Sequence, residues 1–140
     1  MEALDMDLAE QYRNYIACLN ARRWQDLGSF VDDNVQYNGK PVGLAGYRAM
    51  LENDVSTIAD LRFNIDLLVV EPPNVASRLL FDCSPRGRFL GLETHGRRIR
   101  FSENVFYTFE GGKIVRVWSV IDKAAVEAAL QREGPSEEGP

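Results

Sequence analysis

The chain has 140 residues, 45% hydrophobic and 26% charged, with a formal net charge of -5. That is the length of one domain able to bury its own core and the composition of a soluble globular protein, and the acidic balance excludes binding to a phosphate backbone, which rests on basic charge. Two cysteines and a single histidine exclude a disulfide framework and a multi-histidine metal site, leaving carboxylates, tyrosines and arginines for any chemistry.

The first residues, MEALDMDLAEQ, carry neither a basic flank nor an apolar block, and no run approaches membrane-spanning length, so neither a signal peptide nor a membrane partner is expected and the expected location is the cytoplasm. From Leu4 to Leu19 apolar residues recur at helical spacing and put Tyr12 and Tyr15 on the buried face. Cys18 in this pattern, and Cys83 further on, read as small buried hydrophobes. RRWQDLGSFV predicts a short second helix broken by Asp32, Asp33 and Asn34, and VQYNG a brief strand closed at Asn38–Gly39.

LAGYRAMLENDVSTIA returns to helical spacing, with Tyr47, Met50, Leu51, Val55 and Ile58 on one side. Asp54 falls near the middle of that apolar stripe, while Glu52 and Asn53 point elsewhere. The period then changes to 2. LRFNIDLLVV, VASRLLFDC, RIRFSENVFYTFE and KIVRVWSVID read as four long strands, punctuated by Pro72–Pro73, Ser84–Pro85 and Glu110–Gly111–Gly112. The last leads into a helix, DKAAVEAALQRE. Helices that come first must cover one face of a twisted antiparallel sheet, which makes the class α+β, a single domain over residues 1–133 followed by a disordered acidic tail at 134–140. Arg86, Arg88, Arg97, Arg98 and Arg100 cluster in the sequence, either as a solvated hairpin surface or as an anion-recognition patch.

The segment from Val75 to Asp122 contains, in order, VASR, GRFLG, Gly96–Arg97, a long strand, GGKIVRVW and a terminal aspartate. In order and spacing it resembles the SnoaL-like polyketide cyclases and predicted ester cyclases of the nuclear transport factor 2-like superfamily, over roughly residues 8–130. The resemblance implies a curved antiparallel sheet wrapped by three helices of the N-terminal half into a cone, the cystatin-like α+β barrel arrangement. It also implies a cofactor-free intramolecular aldol closure in which the aspartate of the last strand, here Asp122, is the acid/base. Where members often carry a histidine before the G-x-F-x-G segment, this chain has Pro85.

Inside such a cone, strand alternation groups Trp118, Val120 and Asp122 on one face of the last strand and Phe101, Glu103, Val105 and Tyr107 on one face of the preceding strand. With Tyr107 near Trp118 in register, Glu103 reaches the level of Asp122. Asp122, Glu103 and Asp54 are therefore the candidate catalytic residues, since buried neighbouring carboxylates can divide acid and base roles. Tyr12, Tyr15 and Tyr37 are candidate donors to a carbonyl oxygen, and Phe89, Phe101 and Trp118 candidate walls of the substrate site. Each has a structural alternative: Asp122 as the N-cap of the last helix, Glu103 paired with an outer arginine, Asp54 locked to a base or exposed by a helix bend, the aromatics as core.

The expected activity is that of a cofactor-independent, metal-free cyclase or isomerase acting on a hydrophobic carbonyl-bearing small molecule. The alternatives are an epoxide hydrolase or ketosteroid-isomerase-like enzyme of the same fold, or a noncatalytic ligand-binding or dimeric scaffold. A homodimer is expected through the outer face of the sheet, where Val117, Ile121 and Phe106 otherwise form an exposed apolar patch.

Overall fold

In a computed structural model that describes residues 7–131, Asp7 caps the first helix. Its Oδ1 accepts from the Glu10 amide at 3.2 Å, satisfying one of the amides a helix start leaves without an internal partner. Helix α1, Leu8–Asn20, turns Leu8, Tyr12, Tyr15, Ile16 and Leu19 inward, the face its spacing predicts. Leu4 of that pattern and the acidic tail at 134–140 lie outside the described residues. The second expected helix is a 3-10 helix, Trp24–Ser29, which buries Leu27.

Strand β1, Val31–Tyr37, begins earlier than predicted. Asp32, Asp33 and Asn34 are accommodated in it because their side chains need only solvent or nearby backbone: Asp32 Oδ2 accepts from the backbone N of Asn34 at 2.9 Å. Helix α2, Gly43–Thr57, follows, then β2, Asn64–Glu71, and β3, Asn74–Cys83. A two-stranded hairpin of β4, Arg88–Phe89, and β5, Leu92–Glu93, precedes β6, Ile99–Glu110, β7, Lys113–Ile121, and the last helix α3, Lys123–Gln131.

The five long strands form one sheet in the order β1-β7-β6-β3-β2, antiparallel except where β1 runs parallel to β7. The α+β class is as predicted. The sheet does not close into a barrel, because β1 and β2 are both edges. Among the described residues no helix is long and apolar enough to cross a membrane.

Register in the β6–β7 hairpin departs from expectation. A shift between Thr108 and Phe109 inserts Val115 into β7, so that Tyr107 pairs with Val117, Phe106 with Trp118 and Glu103 with Ile121. One residue of slip exchanges the two faces of a strand. Val117 is therefore buried, and Trp118 and Val120 face out, 47% and 69% exposed, beside Phe106 on β6. The inner face presents Val75, Leu79 and Phe81 of β3 and Phe101, Val105 and Tyr107 of β6, all buried in one core with α1.

The end of α1 is tied to the start of β2 by one side chain. Asn20 accepts from Phe63 N at 2.7 Å and donates to Phe63 O at 3.0 Å, meeting both backbone polar groups of a residue that no strand pairs. Leaving both unmet should cost about 2 kcal/mol. Asn20→Ala is expected to lower the unfolding free energy from urea titration by that amount, as a lower midpoint with an unchanged slope; a loss under about 0.5 kcal/mol would mean that water replaces the amide.

Candidate functional site

The concave side of the sheet and helices α1 and α2 enclose an apolar cavity in two adjoining parts. The inner part, about 50 Å³, lies among Tyr15, Tyr47, Tyr107, Leu79 and Val117. The outer part, about 240 Å³, is walled by Phe63, Phe81, Phe89, Phe101, Leu61 and Ile121. Tyr37, Met50, Asp54, Phe63 and Glu103 line both, so the two carboxylates sit where the parts adjoin. The Phe81 and Phe101 rings stack at 5.1 Å, and Phe63 and Phe89 meet them at 5.5 and 5.3 Å.

Strand β6 aims Glu103 inward between buried Phe101 and Val105. Burial is the main reason its carboxyl is pushed above the ordinary range. A hydrogen bond from Ser119 Oγ to its Oε2 works the other way, and the charge of Asp54 raises it further. With Oε2 held by Ser119, Oε1 is the oxygen left to meet a ligand. Ser119 sits opposite Val105 on β7, with its backbone held in turn by Asn38, whose Oδ1 accepts from Ser119 N at 2.8 Å and whose Nδ2 donates to Ser119 O at 3.3 Å.

Asp54 projects from α2. Burial pushes its carboxyl up to about 6. The residue as a whole is nonetheless exposed, and solvent screening weakens such a shift. Tyr15 and Tyr47 share a hydroxyl–hydroxyl bond of 2.6 Å, and Tyr12 donates to Tyr107 at 3.2 Å. One proton joins each pair, so each retains a second hydroxyl proton for another acceptor. Burial raises all four phenols, Tyr12 to about 12, which keeps them neutral donors. Burial also raises Tyr37, with the adjacent Ser119 partly offsetting the rise.

The sequence profile of the SnoaL-like polyketide cyclases matches residues 9–130. The chain belongs to that family. A SnoaL-like polyketide cyclase from Agrobacterium tumefaciens is 50% identical, with a TM-score of 0.87 over 88% of this chain and 97% of that one. TsrD from Streptomyces laurentii is 24% identical, with a TM-score of 0.78 over 90% of this chain and 98% of its own. IdmH from Streptomyces antibioticus is 15% identical, with a TM-score of 0.77 over 89% and 98%. These two are similar in fold alone. A search of functionally curated proteins returns no match.

Within this SnoaL-like cone the candidate residues separate. Glu103, Asp54, Tyr15, Tyr37, Phe89 and Phe101 line the cavity. Asp122 does not: the register shift puts it past the end of β7 on the outer side, exposed, where Oδ1 accepts from Ala125 N at 3.1 Å and caps α3. It borders a separate outer groove with Arg78, Leu80 and Arg100. Trp118 faces outward for the same reason and packs over the turn at Gly39. Tyr12 lies behind Tyr107 in the core. Asn53, expected to point away, lines the outer part of the cavity, while Glu52 pairs with Arg48 on the surface at 3.1 Å.

Sequence reasoning passed over Tyr47, Phe63, Phe81 and Ser119 as site residues. Tyr47 lay on a helix side already read as apolar, Phe63 and Phe81 lay in or beside strands whose inner face alternation does not name, and Ser119 alternates with Trp118, so correct register alone would have found it. Three of the clustered arginines form ordinary surface pairs, Arg88 with Glu93 at 3.1 Å and Arg98 and Arg100 with Asp82 at 2.7 and 3.2 Å, as does Arg78 with Asp66 at 2.9 Å, while Arg97 donates to Leu130 O at 2.9 Å. Among the described residues no group of histidine, cysteine and carboxylate side chains is arranged to hold a metal ion, and both cysteines are buried and free.

A carboxyl whose pKa is higher folded than unfolded binds more protons in the native state, so stability falls as pH rises through the interval between the two values. For Asp54 that interval runs from 3.8 to about 6, and for Glu103 upward from 4.5. Glu103→Gln preserves an acceptor for Ser119 and abolishes the charge. It is expected to raise Tm relative to wild type more at pH 8 than at pH 5; an equal difference at both would show that the carboxylate is not held in an apolar site.

Proposed function

We propose that the chain is a cofactor-independent cyclase or isomerase acting on a hydrophobic carbonyl compound, with Glu103 as the base and Asp54 as its acid partner. The observation that carries this reading is the placement of the two carboxylates where the cavity's two parts adjoin, among phenylalanine and tyrosine rings. Ionised Glu103 removes a proton from the carbon next to a carbonyl, and a tyrosine hydroxyl of the inner part donates to the resulting enolate oxygen. The enolate carbon attacks a second carbonyl of the same molecule, forming the carbon–carbon bond. The new alkoxide takes the proton of Asp54, and proton return from Glu103 to Asp54 through water restores both groups. Membership of the SnoaL-like family supports the same class of reaction. Epoxide hydrolysis through an Asp–Arg–Asp set finds less support, since no arginine is among the residues lining either part of the cavity.

A cavity of about 240 Å³ lies just below the usual range for drug-sized ligands, about 300–1,000 Å³, which favours a compact ring-forming substrate. The proton-abstraction step is testable on simple β-dicarbonyl aromatic compounds by following solvent deuterium incorporation by NMR. Glu103→Gln is expected to slow exchange by about 10²-fold or more and Asp54→Asn to slow ring closure, with Asp122→Asn near wild type. Exchange in Glu103→Gln at the wild-type rate would end this assignment.

We also propose that the outer face of the sheet pairs with a second copy. Its exposed apolar residues are Leu67, Val69, Leu80, Phe106, Trp118 and Val120, in place of the expected Val117 and Ile121, which the register shift turns inward. Two half-exposed aromatics and four aliphatics expose on the order of 500 Å², toward the upper end of the largest patch on a typical monomer, where such patches are often functional, and more than half of what one side of a stable interface contributes. Light scattering at micromolar concentration is expected to give a dimer, and Phe106→Glu a monomer. A wild-type monomer would refute the pairing.

A further inference from the structure

We propose that Asn38 is a positioning residue for Glu103, acting through Ser119: the Asn38 amide fixes the Ser119 backbone, and Ser119 Oγ fixes the carboxylate. The inference deepens the assignment of Glu103 as the base, and the route is built from four hydrogen bonds. Strand β1 pairs with β7 as far as Tyr37 opposite Val117, and there the chain turns away. Asn38 stands at the turn with φ of 50°, in the left-handed region that asparagine tolerates better than most residues. Its backbone N–H still donates to Val117 O at 2.8 Å. Its side chain then does what the next residue of β1 would have done, accepting from Ser119 N at 2.8 Å and donating to Ser119 O at 3.3 Å.

Beyond that point β7 is an edge strand, with β6 on its other side. The peptide groups of Ser119 on the open side have the Asn38 amide as their partner, so the amide sets the pitch of the backbone from which Ser119 Oγ projects. Serine has one rotor, and its direction follows the backbone directly. Glu103 has a longer side chain whose one hydrogen bond among the described residues is to Ser119. The neighbour of Asn38, Tyr37, lines both parts of the cavity, so the turn also sets where that phenol sits.

The alternative is that Asn38 only staples β1 to β7. Stability does not separate the two, because both lose it on substitution; the ionisation of Glu103 does. The probe is the Glu103 side-chain carbon, observed by carbon-13 NMR during a pH titration of the full chain and assigned by its disappearance in Glu103→Gln. Ser119→Ala leaves the Asn38 clamp in place and is expected to raise the Glu103 midpoint by about 0.5 pH units or more, since a bond to the charged form is lost. Asn38→Gly keeps a residue content with positive φ and removes only the amide; it is expected to move the midpoint in the same direction by a smaller amount. In the double variant the two shifts should not add, because both act through one bond.

An unmoved midpoint in Ser119→Ala, an unmoved midpoint in Asn38→Gly despite a lowered Tm, or full additivity would each overturn the proposal. The deuterium-exchange result for Glu103→Gln is read separately. If exchange survives there while the midpoints behave as described, Asn38 still positions Glu103 and it is the catalytic assignment that fails.

Discussion

The residue inserted in β7 at Val115 governs the rest of the molecule. It lets Val117, Ser119 and Ile121 face the helices and sends Trp118, Val120 and Asp122 to the other side. Had the hairpin closed without it, a tryptophan would lie against the tyrosines of α1 and the serine that holds Glu103 would face water. A β-bulge costs one ladder step, and its position decides the content of both faces of a strand. The inner face thereby acquires a polar anchor among apolar neighbours and the outer face a row of exposed apolar side chains.

The inner face is expensive to build. A buried carboxylate without a basic partner loses solvation, and no cation is among the residues lining the cavity. The fold answers with hydrogen bonds in place of an ion pair. Ser119 holds one oxygen of Glu103, the tyrosine pairs keep neutral hydroxyls close by, and Asp54 stays in touch with water. Such a site resists ionisation without forbidding it, the condition under which buried carboxyls can divide acid and base roles. A salt bridge in the same place would leave the carboxylate ionised and inert.

Asparagine side chains recur at the points where this fold needs a peptide partner and has no strand to supply one. Asn20 does so at Phe63, where β2 has not yet begun, and Asn38 does so at Ser119, where β1 has already turned away. In each case one amide presents a donor and an acceptor, as a peptide group does. The first ties a helix to the sheet. The second lies two bonds from the carboxylate at the centre of the cavity, so the same device carries a fold contact in one place and a site contact in the other.

Local sequence determined a good deal. Helical spacing placed Tyr12 and Tyr15 on the buried face of α1 and Asp54 on the inner side of α2, alternation marked the four long strands, and Asp122 ahead of KAAVEAAL offered a helix cap as the alternative to its catalytic reading, because each of these depends on neighbours a few residues away. The order of motifs from Val75 to Asp122 pointed to the family as well. What only the tertiary structure decided was which alternate set of each strand faces the helices, since period 2 divides a strand into two sets without naming the inner one. That choice rests on the bulge at Val115, which no local preference announces. It set Asp122 outside the cavity and left Glu103 inside it, and brought to that carboxylate a serine and an asparagine 81 positions apart that meet because β1 and β7 lie side by side.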